Sequence, residues 1–149
     1  MVVLLDAGHG GVINGDYQTS GKRSPIWEDG SVLYEGEFNR AIKARLKEML
    51  QMAGVKYVDI NPQDTDLDLE DRVDIANTYD DSIYFSIHAN AGGGTGCEVF
   101  TAVNCSSNST KLAKCVEKQY GPHFYGERWR GVKKKDFDVV KHAKMPAVL

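Results

Sequence analysis

The chain has 149 residues, of which 42% are hydrophobic and 26% charged, a composition typical of a globular domain. This length suits a single domain with a substantial core, so we expect one domain over residues 1–149. The net charge of −3 excludes a general attraction to nucleic acid or anionic membranes, and no apolar stretch is long enough to insert into a membrane.

The cysteines and the start of the chain indicate a cellular compartment. Cys97, Cys105 and Cys115 lack the Cys-x-x-Cys spacing of zinc knuckles and redox motifs, so we expect a chain without disulfides. The apolar residues 1–5 are too few for a signal peptide and lack its basic start. We therefore expect the protein to be cytoplasmic as synthesised.

Strand and helix patterns alternate along the chain, which predicts an α/β fold with a mainly parallel sheet. The predicted strands cover residues 2–6, 55–60, 82–87, 97–103, 136–140 and 147–149. The predicted helices cover residues 34–53, 69–77 and 106–120.

The sequence also predicts the buried face of one helix and two loops. Phe38, Ile42 and Leu46 recur at helical spacing, so we expect this apolar stripe to face the core. A polar, glycine-rich loop over residues 10–30 is long for a compact domain, and long ordered loops are often functional. The basic residues 128–135 are expected to form a solvated loop without a catalytic role.

Two histidines stand where apolar strands give way to small residues. His9 follows Leu-Leu-Asp-Ala-Gly, and His88 follows Tyr-Phe-Ser-Ile. If both strands belong to one parallel sheet, their carboxyl ends open on the same crevice, where α/β sheets bind ligands. Neutral imidazole is a common zinc ligand, and a catalytic zinc needs about three protein ligands. The pair therefore predicts a Zn²⁺ site at the carboxyl edge of the sheet.

Glu35 is the candidate for the third ligand. It shares the helix face of Phe38, and a carboxylate taken into a core must be paired, hydrogen-bonded or metal-bound. Glu37 falls off that face and is expected in solvent. Other roles stay open: the glutamate could serve the helix dipole, the histidines could be ordinary hydrogen-bonded residues, and Asp6 could orient His9 or cap its strand.

Several motifs occur in order over nearly the whole chain. They are Asp6-Ala-Gly-His-Gly-Gly, Glu35 with Asn39 four positions on, Leu69-x-x-Arg72 with Ala76-Asn77, Ser86-Ile-His-Ala-Asn-Ala and Met145-Pro-Ala-Val-Leu. Together they resemble the zinc-dependent N-acetylmuramoyl-L-alanine amidases of the Amidase_3 type. The long loop and the lack of a wall-binding module are similar to phage or prophage endolysins.

The resemblance implies a fold, a metal and a reaction. The fold would be a mainly parallel mixed sheet of about six strands flanked by helices, with one zinc ion at its carboxyl edge. His9, Glu35 and His88 match the three zinc ligands of the family. The reaction would be hydrolysis of the amide between N-acetylmuramic acid and L-alanine of the stem peptide by metal-activated water. The partner would be peptidoglycan, met after release from the cell, and we expect a monomer.

The remaining site residues are expectations of two kinds. Asn90 and Asn39 are candidates for hydrogen bonds to the extended substrate, although both residues also suit structural roles. In the family a glutamate shortly after residues 146–149 moves the proton, so residues 1–149 are expected to be a catalytic domain truncated at its C-terminus. Glu98 is expected to face solvent, because strand alternation places Val99 on the other face.

Two alternative functions stay open from the sequence. One is a wall-binding domain that retains zinc but has lost catalysis. The other is a metal-dependent peptidase or deacetylase. Release of new amino termini from peptidoglycan distinguishes an amidase from a binding domain, and substrate preference distinguishes it from the other hydrolases.

Overall fold

The computed structural model describes residues 1–90, 94–123 and 128–149. The strands are β1 (Val2–Ala7), β2 (Val12–Ile13), β3 (Asp16–Tyr17), β4 (Tyr57–Asp59), β5 (Ser82–Ile87), β6 (Cys97–Thr101), β7 (Trp129–Lys134) and β8 (Ala147–Val148). The helices are α1 (Glu35–Met52), α2 (Leu69–Ala76), α3 (Ser107–Tyr120) and α4 (Asp138–Lys141), with a 3₁₀ turn at Gly121–His123.

Four parallel strands form the centre of the sheet in the order β4-β1-β5-β8. Leu4 of β1 is opposite Val58 of β4 and Tyr84 of β5. Leu4 and Tyr84 are fully buried, as expected for strands covered on both faces. Because β1 and β5 are adjacent and parallel, the residues that follow them emerge at the same edge.

Strands β6 and β7 continue the sheet beyond β8. They pair with each other in parallel, and Phe100 of β6 exchanges both backbone hydrogen bonds with Leu149, at 2.7 and 3.0 Å. This reciprocal pattern is that of an antiparallel pair, and Leu149 directly follows β8. Within the described residues the sheet therefore has six strands and is mixed, which confirms the predicted α/β fold.

Two predicted elements near the C-terminus are wrong. Residues 136–140 were expected to form a strand, but Asp138–Lys141 is the helical turn α4, which places Val139 and Val140 together in the core. Residues 128–135 were expected to form a loop, but Trp129–Lys134 is a strand. Its Trp129 and Val132 pack against α3, while Arg130 and Lys133 lie on the other face beside Glu98, a composition that edge strands tolerate.

The orientation of α1 also differs from the expectation. Phe38, predicted to face the core, is 41% exposed, whereas Gly36, Asn39 and Lys43 are buried. The physical reason is that α1 packs over polar groups at the carboxyl ends of β1 and β4, where donors are required. Lys43, for example, donates to Asp59 Oδ1 at 2.6 Å and to the Asn61 carbonyl at 2.8 Å.

The loop before α1 is ordered by contacts with that helix. It contains a short hairpin in which the antiparallel strands β2 and β3 have two residues each. The rings of Tyr17 and Tyr34 lie 4.4 Å apart, and Tyr17 Oη accepts a hydrogen bond from the Gly36 amide at 2.9 Å. Nowhere in the described parts of the chain does a helix have the length and apolar character needed to cross a membrane.

Candidate metal centre

Three side chains meet at the carboxyl edge of the sheet. Glu35 Oε1 lies 3.3 Å from His9 Nε2 and 3.2 Å from His88 Nδ1. The two imidazole rings are perpendicular, with centroids 5.0 Å apart. Each residue offers one possible ligand atom, and these three atoms all lie within 4.8 Å of one another. The structure therefore brings together the three residues that the sequence singled out as metal ligands.

The donor set and its spacing fit a zinc ion. Zinc binds imidazole nitrogen and carboxylate oxygen at about 2.0–2.2 Å, so tetrahedral donors lie roughly 3.3–3.6 Å from one another. The contacts of Glu35 with both histidines, at 3.3 and 3.2 Å, have this spacing within a few tenths of an ångström. Two histidines and one glutamate also form a known catalytic zinc set that leaves a fourth position open.

His9 reaches the cluster through an uncommon backbone conformation. Its φ is 69°, in the left-handed region that costs a non-glycine residue roughly 1–2 kcal/mol. Two side chains of α1 hold the carbonyls on either side of this turn: Asn39 Nδ2 donates to the Gly8 carbonyl at 3.0 Å, and Arg40 Nη1 donates to the His9 carbonyl at 2.7 Å. The helix that carries Glu35 therefore also fixes the position of His9.

Gly8 allows the two histidines to approach each other. A Cβ atom at this position would lie 2.1 Å from His88 Cε1, well inside any real contact distance. His88 itself follows the regular end of β5, and the next residue, Ala89, donates its amide to Glu35 Oε1 at 3.0 Å. Position 8 thus requires glycine because the His88 ring occupies the space of a side chain, and not because of a turn conformation.

Hydrogen bonds keep Glu35 ionised. Burial alone would raise its pKa, but hydrogen bonds from His88 and His9, the charge of His9 and the amide of Ala89 together lower the pKa well below its ordinary value. The side chain is 12% exposed. A largely enclosed carboxylate that stays charged at neutral pH is suited to bind a cation.

Asp6 has a structural role and does not contact His9. It is fully buried, and its carboxylate accepts hydrogen bonds from Arg72 Nη1, from Tyr84 Oη at 2.7 Å and from Ser86 Oγ at 3.0 Å. Burial and the charge of Asp6 raise the pKa of Tyr84 well above its usual range, so the phenol retains the proton that it donates. This buried network joins β1, β5 and α2 beneath the cluster.

The two asparagines predicted to contact substrate have different environments. Asn39 is fully buried and its Nδ2 donates to the Gly8 carbonyl, which favours the structural role that the sequence left open over a substrate contact. Asn90 is exposed, and its Nδ2 donates to Glu98 Oε1 at 2.6 Å. Glu37 is exposed as predicted, and its carboxylate accepts from the Val12 amide at 2.8 Å.

The expected solvent-facing position of Glu98 is wrong. Its side chain is only 6% exposed, and its carboxylate contacts Lys133 Nζ and, at 3.3 Å, Arg130 Nε. The cause is β7, which pairs with β6 and places both cations beside Glu98, with an irregular register at this position. If residues 128–135 are a loop, Glu98 has no visible partner in the sequence. The signal for a strand is the pair of apolar residues, Trp129 and Val132, among the cations.

Comparisons with known proteins point to one family. The family model described as N-acetylmuramoyl-L-alanine amidase matches residues 3–149. The chain is 32% identical to the N-acetylmuramoyl-L-alanine amidase LytC of Bacillus subtilis, over 99% of this chain and 28% of LytC. It is also 32% identical to the endolysin of Bacillus phage SPP1, over 99% of this chain and 52% of the endolysin. The chain thus spans about half or less of these two relatives.

Solved structures agree with these sequence matches. The crystal structure of N-acetylmuramoyl-L-alanine amidase from Clostridium difficile 630 superposes with a TM-score of 0.82 at 27% identity, covering 99% of this chain and 76% of that one. The family match spans nearly all residues of the chain, including the three at the cluster. The chain belongs to the Amidase_3 family of N-acetylmuramoyl-L-alanine amidases.

Proposed function

We propose that this chain is the zinc-dependent catalytic domain of a peptidoglycan amidase. It would hydrolyse the amide between N-acetylmuramic acid and the L-alanine of the stem peptide. The observation that supports this most strongly is the His9, Glu35 and His88 cluster, which lies at the carboxyl edge of a sheet in a chain of the amidase family. The names of LytC and of the Clostridium difficile structure support the same reaction.

His9 Nε2, Glu35 Oε1 and His88 Nδ1 would hold the zinc ion. Bound zinc with an open position lowers the pKa of its water toward about 7 and polarises the amide carbonyl. The task of the protein is to keep two neutral imidazoles and one carboxylate in place at neutral pH. Asn39, Arg40 and the amide of Ala89 support this by fixing His9 and Glu35.

The leaving amine also needs a proton. Glu98 is poorly suited to supply it, because its carboxylate is occupied by Lys133, Arg130 and Asn90. The family resemblance places the proton-transferring glutamate after Leu149, and this stays a prediction. General acid catalysis contributes about 10²–10⁴ to a rate, so hydrolysis by residues 1–149 alone is expected to be slow and to require long incubation.

The test is release of amino termini from purified peptidoglycan. We expect the zinc-loaded chain to generate new N-terminal L-alanine over hours, and chelated protein or a His88→Ala variant to generate none. A chain that sediments with the wall but frees no alanine would instead be a binding domain. Cleavage of plain peptides or acetylated sugars, without cleavage of muramoyl peptide, would indicate a different metal hydrolase.

The setting of this activity is part of the same proposal. The SPP1 endolysin among its relatives supports action on the cell wall after release from the cell. Synthesis in the cytoplasm and a monomeric state stay predictions. Addition of the purified protein to intact cells and to isolated walls would separate access from catalysis, since we expect turnover only where the wall is exposed to the protein.

A further inference from the structure

A charged cluster, formed by Glu98, Arg130 and Lys133, lies on one face of the β6-β7 strand pair. Glu98 Oε2 contacts Lys133 Nζ and lies 3.3 Å from Arg130 Nε, while Glu98 Oε1 accepts from Asn90 Nδ2 at 2.6 Å. Trp129 and Val132 of the same strand pack on the opposite face against α3. The cluster is therefore not part of the core packing of this strand pair.

The charges of the cluster do not cancel. Two cations share one carboxylate, which leaves a net positive charge beside a side chain that is 6% exposed. Arg130 contacts Glu98 through Nε, and its Nη1 and Nη2 atoms have no hydrogen-bond partner among the residues that the structure describes. The Arg130 side chain is 31% exposed, so solvent reaches part of it. A planar fork of two free donors matches a carboxylate in geometry and charge.

A short path of contacts connects the cluster to the candidate metal centre. The Ala89 amide donates to Glu35 Oε1, and the next residue, Asn90, donates to Glu98. Gly94 lies on the same side, since a Cβ atom placed on it would be 3.0 Å from Arg130 Nη1. Because Ala89 and Asn90 are consecutive residues, these contacts place the cluster beside the metal centre, where a bound peptide that runs toward Asn90 would approach Arg130.

We propose that Arg130 binds a carboxylate of the stem peptide and thereby selects substrates with an acidic group beyond the cleaved amide. This inference rests on the proposed amidase function. Glu98 orients the guanidinium through Nε and leaves the Nη fork directed away from that contact. Lys133 supplies a second positive charge. The cluster therefore keeps a net positive charge although the Glu98 carboxylate balances one of its two cations.

The test measures binding rather than turnover. The probes are N-acetylmuramoyl dipeptide with a free C-terminal carboxylate and the same compound as the C-terminal carboxamide, titrated into the zinc-loaded chain. A charge-assisted pair at a partly exposed site is worth about 1 kcal/mol, so we expect the free acid to bind about three- to tenfold more tightly. Arg130→Gln should remove this preference, and Arg130→Lys should retain only part of it, because lysine lacks the fork.

Arg45→Gln provides the matched control, because Arg45 is an exposed arginine on α1. This variant should keep the full preference for the free acid. Equal binding of acid and carboxamide by the unmodified chain would overturn the Arg130 site but leave the amidase proposal intact. Absence of binding by both probes would overturn both proposals. An equal loss of preference in Arg45→Gln would show a general charge effect and overturn the site.

Discussion

The two histidines reach the same cluster from strand ends that are supported very differently. At the end of β1, His9 has a left-handed backbone, and the carbonyls around it are held by Asn39 and Arg40 of α1. At the end of β5, His88 follows a regular strand, and its support is the Ala89 amide on Glu35 and the contact of Asn90 with Glu98. The first end is held by α1, and the second leads to the partly exposed cluster of Glu98, Arg130 and Lys133.

This difference suggests a division of roles between the two ends. At the β1 end, polar side chains of α1 hold the backbone on both sides of the ligand turn, as a metal site requires. The β5 end continues into the exposed Asn90, and Gly94 lies against Arg130, the proposed substrate contact. We therefore expect substitutions at the β1 end to affect metal binding, and those at the β5 end to affect substrate binding.

Among the residues that support the ligands, the largest effect is expected from Gly8→Ala, because Gly8 lies where the two strand ends meet. The new Cβ would lie 2.1 Å from His88 Cε1, so the imidazole must move away from the cluster. We expect zinc affinity to fall on the order of a hundredfold, the upper range for loss of support around a ligand. Gly121→Ala is the control, because its Cβ would lie an ordinary 3.7 Å from Trp129. Unchanged zinc affinity in Gly8→Ala would show that His88 is not held against this turn.

A smaller effect is expected from Asn39→Ala at the β1 end. The substitution removes the buried donor to the Gly8 carbonyl, which costs about 1–3 kcal/mol in the free energy of unfolding, and should weaken zinc binding about tenfold. Denaturant unfolding and zinc titration measure the two quantities. Asn108→Ala, at an exposed position of α3, should change neither. Retained zinc affinity in Asn39→Ala would contradict a positioning role.

Asn90→Ala probes the β5 end and sharpens the comparison. Asn90 is exposed and contacts Glu98 rather than a candidate ligand, so zinc affinity should change less than about threefold, within the range of weak surface contacts. Binding of the muramoyl dipeptide should change more than zinc binding does. Equal losses of zinc affinity in Asn90→Ala and Asn39→Ala would remove the proposed division between the ends.

The smallest effect concerns acid stability at the end of β4, the strand that pairs with β1. Burial would raise the pKa of Asp59, but hydrogen bonds from Lys43 and Lys47 lower it below 3.8. A carboxylate with a depressed folded pKa stabilises the protein above its unfolded pKa, and this stability is lost as pH falls through the folded value. Asp59→Asn should therefore cost about 1 kcal/mol at pH 7 and reduce the acid-induced loss below pH 4. An unaltered pH profile in the variant would contradict this assignment.

The sequence was sufficient for the metal centre because its residues follow strong strand patterns. His9 and His88 stand at the ends of two apolar segments, and both segments are central parallel strands. The argument for Glu35 is partly mistaken, since Phe38 of the apolar stripe is exposed and the fully buried face of α1 is formed by Gly36, Asn39 and Lys43. Hydrophobic periodicity cannot anticipate a helix that packs on backbone carbonyls through Asn39 and Lys43.

The β6-β7 cluster could not be predicted for a different reason. Gly131, with a φ of 83°, and the surrounding cations interrupt the alternation that identifies a strand, so β7 resembles a loop in sequence. Without β7, no partner was visible for Glu98. Conversely, Phe137, Val139 and Val140 suggest strand alternation, but tertiary packing places the two valines on one helical turn. In both cases contacts distant in sequence decided the local structure.

The most direct test of the metal centre is the zinc content of the purified chain. Equilibrium dialysis against zinc, followed by metal analysis, should give one zinc ion per chain, lost separately in His9→Ala, Glu35→Ala and His88→Ala. Each variant should remain folded by circular dichroism. A wild-type chain that binds no zinc, or histidine and glutamate variants that retain it fully, would contradict the assignment of these three residues as ligands.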